Sequence, residues 1–324
     1  MKRTIYLLTA LLLLLVGCSK TEQPECCGQS DKTVRISLTA EADRHTIVSR
    51  SLADENGIHD MNVYLFSEGQ SKDYHFYIPH DVLSIEVLRN NYDVYIIGNY
   101  GSDMGVMSKE ALSSLTFPMQ ESPDLFPMSY QGAHSFMESQ ADVMLQLTRA
   151  LAKVDLEVIV APAANGIELR SVRLVNVPIQ GYYYSSLPST DAGMYAEQEV
   201  MPYAIGHKMM TASFYLPENK QGTVSSIATQ QMKNPDNAPP FATYLIIRAE
   251  KMGRWIEYAV MLGENNTTDF NVLRNHNYKV VVDILSENES DARISAEIRY
   301  YRITYDSNGG YSGSQVEVLA GTVY

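Results

Sequence analysis

One side chain near the start of the sequence has both the type and the setting for covalent chemistry. Cys18 closes the run Leu15-Val16-Gly17-Cys18. A cysteine sulfur acts as a nucleophile through its thiolate, and a glycine before it lets an enzyme come close to the backbone. The chemistry on offer is alkylation of the sulfur, then cleavage of the chain just before it. The other two cysteines, Cys26-Cys27, are adjacent. They are either incidental thiols or a bond to another chain in an oxidising compartment. With three cysteines in all, no disulfide framework is available. The seven histidines (His45, His59, His75, His80, His134, His207 and His276) are scattered. None has HExxH or Cys/His metal spacing. No GxSxG elbow and no GxxxxGK[ST] phosphate loop occurs. Gly101 to Gly105 reads as a turn, and Asp54-Glu55 as solvated charge in a polar loop. Carboxylates joined only by folding are the catalytic arrangement that remains. The expectation is a chain without enzyme activity, metal or cofactor.

The residues before Cys18 fit its chemistry. Lys2 and Arg3 precede an apolar stretch from Ile5 to Val16. That stretch is about a dozen residues, against the roughly 20 needed for a membrane span. A basic start, a short apolar core and a small residue at the end make a secretory signal, and the last four residues resemble a bacterial lipobox. Residues 1–17 are therefore read as a lipoprotein signal peptide, and Cys18 as the lipidated residue. Residues 18–32 follow as a tether, because Ser19 to Lys32 (SKTEQPECCGQSDK) is polar and lacks apolar periodicity. Acyl chains on Cys18 would hold the protein at a membrane.

Length and charge narrow the remaining possibilities. The 324 residues suffice for two ordinary domains. A formal net charge of −13 argues against nucleic acid as a partner and against a basic membrane-binding face. The 22 tyrosines, against eight phenylalanines and one tryptophan, suit half-buried strands and contact surfaces alike.

Period two dominates the chain. Thr33 to Ala40 alternates apolar and polar residues cleanly. Further strands are expected at Met61 to Phe66, Tyr74 to Ile78, Ser84 to Leu88, Tyr92 to Ile97 and Val143 to Thr148. The strands at Ser84 and Tyr92 read as a pair across a short turn at Arg89-Asn90-Asn91. Ser108 to Leu115 is the one helical stretch, with Ser108 as its cap. From there to Ala141 the sequence reads as a long loop. The second half repeats the pattern at Lys153 to Val160, Ile167 to Val175, Thr211 to Leu216, Thr243 to Ala249, Trp255 to Leu262 and Tyr278 to Leu285. Short strands at regular spacing indicate an all-β protein of sandwiches. The boundary falls near Arg149-Ala150, giving an N-terminal sandwich over 33–148, a C-terminal one over 149–290 and an extension over 291–324. In the first strand, Val34, Ile36 and Leu38 should face the core and Arg35, Ser37 and Thr39 should face out. The polar loop Glu41 to Gly57 carries Arg44 and Arg50, where a trypsin-like protease could cut.

Several segments resemble the fimbrillin-type lipoproteins of Bacteroidales, the subunits of type V pili. They are the lipobox, SRSLADENGIHDMNVYLFSEG, EVLRNNYDVYIIGNYG, LTRALAKVDLEVIV, LRSVRLVNVPIQGYYY, TASFYLPENKQG and YAVMLGENNTTDFNVLRNHNYKVVVDI, in that order over most of residues 18 to 290. The resemblance implies two transthyretin-like antiparallel β-sandwiches in tandem. It also implies maturation at the cell surface by an arginine-directed protease. Arg50 before Ser51 matches the usual arginine position, with Arg44 as the alternative. Cutting there frees Thr33 to Ala40, and a strand from another fimbrial subunit enters the vacated groove to build an adhesive fimbrium. The implied partners are other fimbrial subunits, the outer membrane through the lipid, and ligands on host or bacterial surfaces.

The C-terminal stretch supports two readings. Asn308-Gly309 signals a tight turn. Beyond it Val316 and Val318 alternate as a donor strand would, forming a short hairpin or strand extension. Alternatively, ITYDSNGGYSG resembles the opening of an internalin-type B repeat. A different function class also stands: a singly anchored glycan- or protein-binding module that does not polymerise. Its contacts would come from Gly181-Tyr182-Tyr183-Tyr184, which otherwise pack at a strand edge or a domain interface.

Overall fold

A computed structural model describes residues 33–42, 57–78, 83–119, 124–138, 140–184, 187–200, 203–205, 207–287, 290–297, 301–305 and 311–315. The chain is all-β. The one α-helix among the described residues, α1 (Lys109–Ser113), starts where the Ser108 side chain accepts a hydrogen bond from the Ala111 N–H at 3.2 Å.

The first eight strands are β1 (Thr33–Ala42), β2 (Met61–Ser67), β3 (Gln70–Tyr77), β4 (Leu83–Leu88), β5 (Asn90–Gly98), β6 (Thr116–Pro118), β7 (Met128–Phe136) and β8 (Gln140–Arg149). Seven of them hydrogen-bond in the order β3-β2-β5-β7-β8-β1-β4. β7 and β8 pair only at Met128–Arg149 and Ser129–Thr148. Past that corner β8 leaves β7 and runs parallel to β1. Side chains from both arms share one buried cluster, including Val63 and Ile96 from one arm and Ile36, Ile85 and Leu147 from the other. β2 is buried along its whole length, since both of its faces are covered.

Two expectations fail here. The stretch between α1 and Ala141 is not one long loop, because it contains β6 and the nine-residue β7. The sequence of β7, MSYQGAHSF, hides its apolar face. That face reads Tyr130, Gly132, His134 and Phe136, and the Tyr130 ring fills the space over Gly132, where an added Cβ would lie 2.2 Å from the tyrosine oxygen. Nor do β4 and β5 form a hairpin. β4 pairs with β1, and β5 lies between β2 and β7. The single residue between them carries the chain from one arm to the other.

Ala150 separates β8 from β9 (Leu151–Val160), and its N–H donates to Pro127 O at 2.8 Å. Then come β10 (Glu168–Pro178), β11 (Gln180–Tyr182), β12 (Tyr195–Val200), β13 (Tyr203–Ile205), β14 (Met209–Pro217), β15 (Asn219–Thr223), β16 (Tyr244–Lys251), β17 (Arg254–Met261), β18 (Asp269–Val272), β19 (Asn277–Ile284) and β20 (Ser290–Glu297). They build a four-stranded sheet, β12-β10-β16-β17, and a five-stranded sheet, β13-β14-β9-β19-β20. A second buried cluster holds Val158, Val172, Ile247 and Val280 among others. β15 pairs with β18, and β11 pairs with β6 from the earlier part of the chain. β21 (Tyr301–Tyr305) and β22 (Tyr311–Gln315) form an antiparallel hairpin of their own.

Candidate functional site: the first strand in its groove

β1 lies between two strands distant in sequence. It pairs antiparallel with β4, from Thr33↔Leu88 to Leu38↔Leu83, and parallel with β8, from Arg35↔Gln140 to Ala42↔Leu147. Alternation sets its faces. Val34, Ile36 and Leu38 are 1%, 0% and 2% exposed and enter the first buried cluster. Arg35 points to solvent and pairs with Glu86, its register partner on β4, at 3.0 Å. Burying three such aliphatic side chains stabilises the strand by roughly 1.5–3 kcal/mol each. The exposed ion pair adds at most about 1 kcal/mol. The strand is held by apolar contact and backbone ladders, and neither depends on which chain supplies it.

The entry to β2 is pinned independently of β1. The buried Asp60 carboxylate accepts hydrogen bonds from the Tyr100 and Gly101 N–H groups at 3.0 and 2.9 Å. Asn99, at φ 60°, donates to Gly57 O and Phe126 O at 2.8 and 2.9 Å and accepts from the His59 N–H at 2.8 Å. Asn62 and Tyr74 hold the loop that follows. Asn62 Oδ1 accepts from the Tyr74 hydroxyl at 2.7 Å and the Met104 N–H at 3.0 Å, and the Tyr74 hydroxyl also meets Asp103. Burial, followed by the Asp103 hydrogen bond, pushes the Tyr74 hydroxyl up to about 12. These groups satisfy one another, so the network is a brace and offers no free acid or base. Sequence reasoning missed it. Its local signal is Asn99, two residues before Gly101, where asparagine tolerates positive φ.

Tyr183 and Tyr184 are not a contact surface. They are 3% and 8% exposed and belong to the first buried cluster. Ser129 Oγ hydrogen-bonds to Tyr183 O, and the Tyr184 hydroxyl donates to Ile96 O at 3.2 Å. Gly181 lets β11 lie against Phe117, whose ring would sit 2.2 Å from an added Cβ. Arg274 secures this segment from the β18–β19 turn. Its guanidinium donates to the Tyr182, Tyr183 and Tyr184 carbonyls at 3.1, 2.7 and 2.9 Å and meets Glu218 at 3.4 Å.

Among the described residues, no group of three or more His, Cys, Asp or Glu residues could hold a metal ion. His134 lies beside the Tyr130 hydroxyl, and His276 beside Arg274 O. No helix among them is long and apolar enough to cross a membrane. Cys18, Arg44, Arg50, Val316 and Val318 lie outside the described residues.

Lys233 is a buried cation in a loop. Its ammonium donates to Asn265 O at 2.5 Å and sits 5.2 Å from the Phe270 ring centroid. Burial lowers its pKa from 10.5 to about 8, partly offset by Asp269. The unfolded chain therefore holds more protons than the fold between those values, so this group's contribution to stability rises with pH across that window. Below about pH 8 the penalty is complete, on the order of 3 kcal/mol. Comparing wild type with Lys233→Met by thermal unfolding from pH 7 to 9.5 should show the wild type gaining on the variant as pH rises. Parallel curves would contradict the burial of this amine.

Residues 214–282 match the profile of a domain family of unknown function, DUF4906. No curated protein sequence matches the chain. Among solved structures, the tip fimbrial protein Mfa3 from Porphyromonas gingivalis, with a C-terminal truncation, superposes with a TM-score of 0.57 at 14% identity, covering 82% of this chain and 99% of that one. A fimbrilin from Porphyromonas gingivalis superposes with a TM-score of 0.55 at 12% identity, covering 82% and 97%. At these identities the likeness establishes a shared fold.

Proposed function

We propose that the chain is a non-enzymatic, surface-anchored fimbrial subunit that joins its neighbours by replacement of β1. The carrying observation is the groove between β4 and β8, filled by three apolar side chains of a strand at the N-terminal edge of the described chain. An incoming strand with the same alternation satisfies both the ladders and the pockets. In this reading two transthyretin-like sandwiches meet near Arg149-Ala150. Cys18 carries the lipid that holds the precursor at the outer membrane. Cleavage after Arg50, or after Arg44, releases β1, and Val316 and Val318 supply the incoming contacts. The fold shared with a tip fimbrial protein and a fimbrilin supports the reading.

Cleavage alone should not expel β1, because the empty groove would expose apolar surface at roughly 25 cal/mol per Å2. Exchange should need a donor. The test is limited trypsin digestion followed by size-exclusion chromatography of the full chain, of Arg44→Ala/Arg50→Ala, and of a chain ending at Glu297, which keeps β20 in its sheet. Clipped full-length protein should form ladders of oligomers, and the other two should stay monomeric. Clipped full-length protein that remains monomeric at high concentration would defeat self-polymerisation.

A further inference from the structure

The β16–β17 hairpin turns on two residues, Met252 and Gly253, at φ 51° and 75°. This is the turn whose twist suits paired strands, and it favours asparagine then glycine. Methionine at its first position carries a Cβ–carbonyl clash that asparagine relieves locally. The sequence accepts that strain at a site where the side chain is 90% exposed. Three residues on, the chain's single tryptophan, Trp255, is 62% exposed. Its ring is held in place. The Arg248 guanidinium stacks 5.5 Å from the ring centroid and is fixed by Glu257, which accepts from Arg248 Nη2 at 2.8 Å and Nε at 3.1 Å.

The residues beside the turn are cationic. Lys251 and Arg254 close it, and both reach back to one carboxylate, Glu287, at 2.7 and 2.8 Å. The neighbouring Glu250 is engaged by Arg170 at 3.1 Å. Two cations thus share one carboxylate, which leaves a single positive charge at the base of the turn in a chain of net charge −13.

We infer that this hairpin tip docks on a phospholipid surface. The side chains are layered as a bilayer interface is layered. An unbranched thioether is at the apex, and an indole stands one to two strand positions behind it, about 3–7 Å at strand rise. That spacing fits the roughly 5–10 Å over which interfacial segments enter a membrane. The positive charge that Glu287 leaves uncompensated on Lys251 and Arg254, at the base of the turn, suits the depth of phosphate groups. A convex tip with a flexible methionine suits a deformable surface better than a shaped protein pocket. The tip is distinct from β1 and its groove, so the inference stands apart from strand replacement.

Because Trp255 is the sole tryptophan, intrinsic fluorescence reports on the tip alone. The chain from Ser19 onward, lacking leader and lipid, should be titrated with vesicles of phosphatidylcholine mixed with phosphatidylglycerol. Emission should move to shorter wavelength, and spin-labelled acyl chains should quench it. Met252→Asn suits the turn, so its melting temperature should be unchanged or higher, while its vesicle affinity falls about tenfold. No vesicle-dependent shift, or equal affinity in Met252→Asn, would overturn the inference. A blue shift that grows with protein concentration without vesicles would also overturn it, by assigning the tip to a second copy of the chain.

Discussion

Ile36→Ala is expected to destabilise the protein by about 2–5 kcal/mol, while Arg35→Ala, one residue away, changes stability by less than about 1 kcal/mol. Ile36 has no exposed surface, and its register partners are Ile85 on β4 and Ala141 on β8. Removing its side chain loses the transfer energy of the missing carbons and leaves a cavity that the flanking ladders keep from closing. Arg35 and Glu86, by contrast, each leave 63% of their side chains in water. At roughly 2–4 °C per kcal/mol for a chain of this class, thermal unfolding separates the two outcomes. Hydrogen exchange should place the Ile36→Ala effect in β1, β4 and β8, with β9 and β19 still protected. Equal effects of the two substitutions would mean that β1 is not seated by its apolar face.

Arg274→Met should cost about 3–5 kcal/mol, the range for breaking a buried ion pair from one side. The guanidinium is the partner of three successive carbonyls and approaches Glu218, whose side chain is 9% exposed. Methionine fills similar volume and returns none of those hydrogen bonds. Arg274→Lys should recover a part only, because one ammonium cannot reach three carbonyls in the fork geometry of arginine. Adding Glu218→Met to Arg274→Met should cost less than the two single changes together, since the buried carboxylate that has lost its arginine, and keeps Lys220 at 3.5 Å, is then removed. Denaturant unfolding measures the four variants against the wild type. Additive losses would show that the pair is not coupled, and a loss under about 1 kcal/mol would show that the segment is held by tyrosine packing alone.

The elements that were legible in the sequence are those whose faces differ sharply in polarity. β1 alternates from Thr33 to Leu38 and β4 from Leu83 to Val87, and burial follows that alternation even at Leu88, an apolar residue that lies on the outer face and is 62% exposed. β7 escaped because a glycine, a histidine and a tyrosine line its inner face, and only packing shows that the Tyr130 ring substitutes for the missing side chain at Gly132. The groove was half legible. Which side of β1 is apolar is a local property. Its partners are not, since Glu86 and Gln140 lie far along the chain and their register depends on how the arms close. The tyrosines at 182–184 show the same limit. Their composition fits a wet contact face or a dry interface, and Arg274, some ninety residues on, selects the second.

The most direct measurement is the N-terminal residue of the chain in assembled fibres recovered from cells. Strand replacement predicts that chains within the fibre begin at Ser51, or at His45 if Arg44 is the site, while precursor on the membrane begins at lipid-modified Cys18. Fibres whose chains all begin at Cys18, with residues 33–42 still covalently attached, would contradict it.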